Sequence, residues 1–351
     1  MTQTSPDALT RRLKALIESE GPLPVSTYMQ LCLHDPQHGY YATRPGLGVD
    51  FRTAPETSQV FGELLGVWAA YEWQVLGRPD PFILAELGPG RGTLMADALK
   101  ATRKVEGFQD AMQLVLVEAS PVLRAAQAER LSGHSVHHVD ALGDVPGGPA
   151  IFIANEFLDC LPARQFVRAD AGWFERKVST DPDGRLCFGL SADRPPSEIA
   201  SSIEEEIEFQ PGLQRVVEVL AERRDPFRAL FIDYGTDGSG PGDTLRAYRS
   251  GQQVHPLEAP GACDLTVDVD FARLSRLASA TRLDVAGPIG QGMLLGQLGI
   301  EARMQALIRK APESAAAIYE GVRELVEPDR MGQRFKAVCL SSPSLPAPVG
   351  F

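Results

Sequence analysis

The run "FILAELGPGRGTLMADAL", Phe82–Leu99, decides the fold. A short apolar stretch carries one acid, Glu86. It then passes Gly88, Gly90 and Gly92 on alternate positions and turns into a helical pattern from Thr93. Glycines there let the backbone turn sharply and bring its N–H groups close to a ligand. The helix that follows adds unpaired donors and a positive dipole end. The competing reading is a plain tight turn with no ligand.

The spacing separates cofactors. Dinucleotide sites use G-x-G-x-x-G with the pyrophosphate on the helix end. This chain has G-x-G-x-G with an acid two places before the first glycine. A carboxylate is awkward beside a pyrophosphate but useful beside an ammonium and a sulfonium. The turn therefore points to S-adenosyl-L-methionine, with Glu86, Gly88, Gly90, Gly92 and Thr93 around it. A nicotinamide oxidoreductase is the disfavoured alternative.

Working outward, "LVLVEAS" ends in Glu118, a carboxylate able to accept both ribose hydroxyls of an adenosyl group. Otherwise Glu118 only sits by the helix that starts at Pro121. Asp140 closes "SVHHVD" and is placed to reach the adenine amino group, unless it is a solvated loop acid. The three acids follow three successive predicted strands and so share one sheet edge. Further strand-like runs, "AIFIAN", "RALFIDYG" and "FKAVCLSS", alternate with helical patterns. Unbroken apolar runs indicate strands covered on both faces, and the alternation indicates an α/β fold with a doubly wound, mostly parallel sheet.

The fourth run continues as "NEFLDCLP", so Asn155, Glu156 and Asp159 lie beyond a strand end, where ligands bind in such sheets. Asn155 is expected beside the cofactor. Methyl transfer from a sulfonium needs an aligned lone pair and excluded water more than a strong acid. Two carboxylates, Glu156 and Asp159, suit the orientation of a guanidinium acceptor. Alternatively, Glu156 caps the next helix and Asp159 pairs with Arg164.

Before the glycine turn, Asp7–Glu18 has helical spacing, and Ser26 or Thr27 is a candidate N-cap of a second helix. A loop rich in Gly, Pro and Tyr leads to the amphipathic "SQVFGELLGVWAAYEWQVLG". Thr53, Ser58 and Glu56 offer polar groups for a lid over the cofactor; the plainer role is that Thr57 or Ser58 caps the helix. The expected division is a helical cap and lid over 1–80 and a core over 81–351. An insert at about 164–211 interrupts the core: a hairpin turning at "DPDG", then a solvated excursion from Ser191 to Gln210.

The formal net charge of −12 argues against a nucleic-acid partner, and no apolar run approaches a membrane span. Five scattered cysteines form no C-x-x-C pair, and six histidines form no metal constellation, so no metal is expected. The amino-terminal residues lack a long apolar core and contain acids, unlike a signal or transit peptide. A soluble, cytoplasmic protein is the expectation.

With these residues in view, the sequence resembles the MidA family of protein arginine methyltransferases. The stretches that carry the resemblance include "GPLPVSTYMQLCLHDPQHGYY", "DFRTAPETSQVFGELLGVW", "AELGPGRGTLMADAL", "NEFLDCLP", "LFIDYG" and "DLTVDVDF". They span nearly the whole chain. The resemblance implies a Rossmann-like class I methyltransferase fold and S-adenosyl-L-methionine as cofactor. It implies Glu118 on the ribose, "NEFLD" as the acceptor site, and a protein partner carrying the acceptor arginine. Mitochondrial family members serve respiratory complex I assembly, which implies a complex I subunit as that partner. The alternative is a non-catalytic assembly factor that binds the cofactor as a structural ligand.

Overall fold

The apolar runs pair as expected into one sheet. Its strands are β1 (Phe82–Leu87), β2 (Met112–Val117), β3 (Val136–Val139), β4 (Ala150–Asn155), β5 (Phe227–Thr236), β6 (Val269–Asp270), β7 (Asp284–Gly290) and β8 (Phe335–Ser341). Every residue of β1, β4 and β8 is buried. The computed structural model describes residues 6–43, 53–193, 195–197, 204–238 and 242–351. The loop residues 44–52, the excursion residues 194 and 198–203, and residues 239–241 of the Gly-rich loop lie outside them.

Strand order is β7-β8-β5-β4-β1-β2-β3, with β6 paired to the end of β5. Strands β1 to β5 run parallel, and β8 runs antiparallel between β5 and β7. The chain starts in the centre, winds out through β2 and β3, then crosses back to β4. The reversal puts a crevice beyond the carboxyl ends of β1 and β4, the place where open α/β sheets bind ligands. The fold is the doubly wound α/β class read from the sequence.

Helix Gln59–Val75 covers this sheet and presses on helix Thr93–Thr102. A β-carbon on Gly66 would lie 2.5 Å from the Ala98 Cα, and one on Gly62 would lie 2.8 Å from the Leu94 carbonyl oxygen. Two glycines four residues apart therefore set the depth at which the helix behind the glycine turn is seated. Buried Glu72 on the same long helix pairs with buried Arg228 of β5 at 2.9 Å.

The chain divides into two compact units. One, Arg52–Leu158 with Val216–Gly238 and Val269–Phe351, holds this sheet. The other joins Met1–Phe51, Asp159–Arg215 and Ser239–Asp268. In it, helices Pro6–Glu20 and Val25–His34 bury Leu9, Leu13, Tyr28 and Met29. Leu23 pairs with Val178, so the amino-terminal segment adds an edge to the antiparallel sheet of the 164–211 region. Residues 52–80 group with the large sheet and not with these first helices.

Three local expectations are corrected in this second unit. Pro24 stands at the N-cap of helix Val25–His34, with no side-chain cap, so Ser26 and Thr27 fall inside the helix. The strand pairing of Leu23 and Pro24 fixes the chain up to that point. The stretch expected as one hairpin arm folds back at Asp170 and makes two strands, Arg164–Ala169 and Gly172–Thr180. The acidic excursion contributes a strand, Glu206–Phe209, against Arg164–Val167, with Phe209 buried. The "DPDG" turn forms as read, closed by Arg185 N–H to the Asp181 carboxylate at 2.8 Å. Among the described residues, no helix is long and apolar enough to cross a membrane.

Candidate active site

The three turn glycines all adopt left-handed φ: 64° at Gly88, 53° at Gly90 and 76° at Gly92. A side chain at any of them strains the backbone. A β-carbon on Gly88 would also come within 3.1 Å of the Phe157 ring. Helix Thr93–Thr102 starts at once, and its N-cap, Gly92, offers no side chain to the first amides. Of the first amides, Met95 N–H is taken by the Glu86 carboxyl, and Gly92 caps none of them with a side chain.

Glu86 is 3% exposed at the end of β1. Burial pushes its carboxyl up to about 8, against a smaller pull downward from the Met95 backbone amide. Among the described residues, its Oε2 has no hydrogen-bond partner, and neither does the buried Oδ1 of Asn155 at the end of neighbouring β4. Leu87 sits opposite Ala154 in the parallel register, so both orphaned acceptors belong to adjacent strand ends. Unpaired buried acceptors are costly and rare, and together they ask for a donor.

Glu156 takes a left-handed φ of 51°, unusual for a residue with a side chain. Its Oε1 accepts from Asn155 Nδ2 at 3.0 Å and from the Ala54 amide at 3.2 Å. The strain is held from below by Asp233 of β5, 1% exposed. One Asp233 oxygen accepts the Phe157 and Leu158 amides at 3.0 and 2.8 Å; the other accepts Tyr234 N–H.

Glu118 is nearly buried, which raises its pKa, while hydrogen bonds from Ser120 N–H and Gln127 Nε2 oppose the rise. Gln127 also donates to the Gly90 carbonyl at 2.7 Å, tying Glu118 to the glycine turn. Asp140 is not gathered into this group. Its side chain is 77% exposed and pairs with Arg124 at 2.6 Å.

The segment before the long helix reaches the same turn. The Thr93 hydroxyl donates to Glu56 at 2.6 Å, and the other Glu56 oxygen pairs with Arg91 at 2.7 Å. The Thr53 carbonyl accepts the Glu56 and Thr57 amides, opening the short helix Ala54–Thr57. Ser58 Oγ accepts from Val60 N–H and caps Gln59–Val75, the plainer role considered for it.

Asp159 belongs to the other unit, where it is 5% exposed and its carbonyl accepts from Val267 N–H. Arg164 is held by Glu175 through two bonds of 2.7 and 3.0 Å, so the Arg164–Asp159 pair weighed from the sequence is replaced by this one. Sequence reasoning passed over Gln127 and the role of Asp233. A signal for the first existed: Leu123, Gln127 and Leu131 form a buried stripe at helical spacing, with one amide in it.

Residues 64–289 match the family model of an S-adenosyl-L-methionine-dependent methyltransferase. The chain belongs to this methyltransferase family. A relative from Drosophila melanogaster, named protein arginine methyltransferase NDUFAF7 homolog, mitochondrial, is 39% identical over 95% of this chain and 84% of its own. The Danio rerio protein of that name is 37% identical over 94% and 86%, and the Homo sapiens one 35% over 95% and 83%. A crystal structure of a Burkholderia thailandensis protein bound to S-adenosyl-homocysteine is 26% identical, with a TM-score of 0.83 over 98% of this methyltransferase and 94% of that chain. The cofactor is therefore the sulfonium compound favoured by the glycine spacing, and the dinucleotide reading falls.

One expectation is overturned. The relatives are named mitochondrial, which corrects the cytoplasmic location. The expectation rested on the composition of the amino-terminal residues alone, and a folded core carries no mark of its compartment.

Proposed function

We propose that this methyltransferase modifies an arginine side chain of a protein partner, and that the partner is a subunit of respiratory complex I. The observation that carries the arginine reading is Glu156. Its carboxylate is fixed at the tip of β4 by a strained backbone that Asp233 holds in place, one strand from the glycine turn. The arginine methyltransferase names of relatives at 35 to 39% identity support it.

The residues present fit the cofactor. The bare turn accepts close approach, and the orphaned oxygens of Glu86 and Asn155 suit a cationic ligand with N–H donors. When bound, the cofactor supplies a methyl group on a positively charged sulfur that leaves as a neutral thioether. Glu86 accepts the ammonium, the Gly88–Gly92 backbone lies along the ligand, and Thr93 opens the helix whose amides face it. Glu118 accepts the ribose hydroxyls. Asp140 reaches the adenine amino group by exchanging its exposed pair with Arg124, a change of at most about 1 kcal/mol. Thr53 and Ser58 bracket the segment that closes over the site. Glu156 accepts two guanidinium N–H bonds and aims one nitrogen at the methyl group, as bidentate carboxylate pairing does. Asp159, three residues on, is assigned to the acceptor with it on sequence grounds.

Calorimetry with S-adenosyl-homocysteine tests the cofactor residues: Gly90→Val abolishes binding while the protein stays folded. Mass spectrometry of partner protein tests the transfer: methylarginine appears with wild type and drops at least 100-fold with Glu156→Gln, whose cofactor affinity is unchanged. Binding of the cofactor with no methylarginine formed would leave the non-catalytic assembly role in its place.

A further inference from the structure

We infer that Gln127 is a positioning residue that couples the glycine turn to Glu118 and thereby sets the affinity for the adenosyl part of the cofactor. The inference rests on the cofactor assignment above. Gln127 is fully buried on helix Pro121–Arg130, yet its amide touches three separate elements. Nε2 donates to the Gly90 carbonyl at 2.7 Å, in the turn after β1. The same nitrogen donates to Glu118 Oε2 at 3.3 Å, at the end of β2. Oε1 meets His138 Nε2 at 2.9 Å, on β3.

The chemistry fixes which way the amide points. Two partners, a carbonyl and a carboxylate, are acceptors and need the NH₂ end. His138 supplies the donor for the carbonyl end. Burial, then Arg124 and His137, lower its pKa, and the contact with the amide oxygen puts a proton on Nε2. A flipped amide would set its oxygen against a carboxylate. The stem contributes as well: Gln127 Cγ lies 3.5 Å from where a β-carbon on Gly92 would stand.

A side chain of this length with an N–H and a C=O is required. Glutamate brings a like charge to Glu118, methionine brings no hydrogen bond, and asparagine is one methylene short. An apolar residue would complete the Leu123–Leu131 stripe without difficulty, so packing gives no reason for an amide here. What the amide does provide is a fixed spacing between the turn backbone and the acid on the ribose side. Without it, the Gly90 carbonyl and Glu118 each lose a buried donor and turn toward other partners.

The test is S-adenosyl-homocysteine affinity by calorimetry in wild type, Gln127→Met, Glu118→Gln and the double variant. Gln127→Met is expected to raise Kd at least tenfold. It should raise KM for S-adenosyl-L-methionine by a similar factor and leave kcat at saturation within twofold. The double variant should bind no more weakly than the weaker single variant, because both changes remove one coupled element. A Kd within twofold of wild type in Gln127→Met, or losses that simply add, overturns the inference. Should Gln127→Met fail to fold, His138→Phe releases the carbonyl end from a half-buried position; a threefold or greater rise in Kd supports the coupling and an unchanged Kd overturns it. A wild type that ignores S-adenosyl-homocysteine brings down the cofactor assignment along with the inference, whereas binding by wild type with a Kd within twofold of it in Gln127→Met brings down the inference alone.

Discussion

Glu56 accepts the Thr93 hydroxyl at 2.6 Å, so an acid from the segment before the long helix sits on the first residue of the helix after the glycine turn. Its second oxygen holds Arg91 inside the turn. At the front of the same segment, Glu156 accepts the Ala54 amide. The Thr53–Ser58 segment is thus fastened to two strand ends at once. An acid at a helix N-terminus stabilises it by about 0.3–1 kcal/mol. Glu56→Ala is expected to lose that amount, to speed amide exchange at Ala54 and Thr57, and to weaken S-adenosyl-homocysteine binding about five- to twentyfold, since the turn is no longer braced. Exchange and affinity both equal to wild type would show that the segment is not coupled to the turn.

Burial at the end of β1 gives a pH signature. The Glu86 carboxyl holds its proton to about pH 8 in the folded chain, against 4.5 for a free side chain. Between those values the folded state carries the extra proton, so stability of the ligand-free protein falls as pH rises from 4.5 to 8 and is unaffected below 4.5. Glu86→Gln removes this penalty. Its thermal midpoint should exceed that of wild type at pH 8 and match it at pH 4.5. Ligand binding runs the other way. Ionised Glu86 is the form that meets an ammonium, so wild-type affinity for S-adenosyl-homocysteine should improve from pH 6 to 8 with proton release, while Glu86→Gln stays weak and flat. Calorimetry in buffers of different ionisation heat measures the released proton directly.

What was legible in the sequence follows the range of the interactions. The glycine turn, Glu86 and the strand rhythm are local: each depends on neighbours within a few residues. Glu118 and Asn155 could be placed because strand ends of one sheet share an edge. Gln127 and Asp233 escaped because their partners lie 37 and 75 residues away, and a buried amide or acid announces itself only when those partners are known. Asp140 was placed by its strand, but its exposed pair with Arg124, sixteen residues away, was not legible there. In the 206–209 strand the alternation Glu206, Ile207, Glu208, Phe209 was present, but three adjacent acids masked it as a solvated run. The grouping of the first 51 residues with the 164–211 region rests on the pairing of Leu23 with Val178, which no local pattern encodes.

The seating of the long helix on the turn helix predicts opposite signs for two similar substitutions. A β-carbon on Gly66 meets the Ala98 Cα at 2.5 Å and its carbonyl oxygen at 2.6 Å, backbone atoms that cannot swing aside. Alanine is the better helix former by about 1 kcal/mol. Overpacking at such a contact costs roughly 1–3 kcal/mol, and the backbone clash should win. Gly66→Ala is expected to be destabilising in chemical denaturation. Gly296, in helix Gln291–Gln297, is exposed with nothing within 4 Å of its added β-carbon. Gly296→Ala should stabilise by about 0.5–1 kcal/mol. Equal effects at the two sites would mean that the helices do not meet at Gly66.

A substitution at Asp233 is expected to separate acceptor turnover from cofactor binding. The Asp233 Oδ2 takes the Phe157 and Leu158 amides of the turn that carries Glu156, and its Oδ1 takes the amide of its own neighbour Tyr234, so both oxygens are engaged. Asp233→Asn keeps the size but turns one oxygen into a donor, which must face either the amide pair or the Tyr234 N–H. The lost buried bond costs about 1–3 kcal/mol, and the left-handed Glu156 is no longer held. The Glu86 carboxyl and the glycine turn take no bond from Asp233. The expected result is a kcat reduced ten- to 100-fold, a higher KM for the protein acceptor, and a Kd for S-adenosyl-homocysteine within threefold of wild type. Steady-state kinetics beside calorimetry reads the three quantities. A parallel loss of cofactor affinity would mean that Asp233 braces the whole sheet edge, and the separate assignment of Glu156 to the acceptor would fail with it.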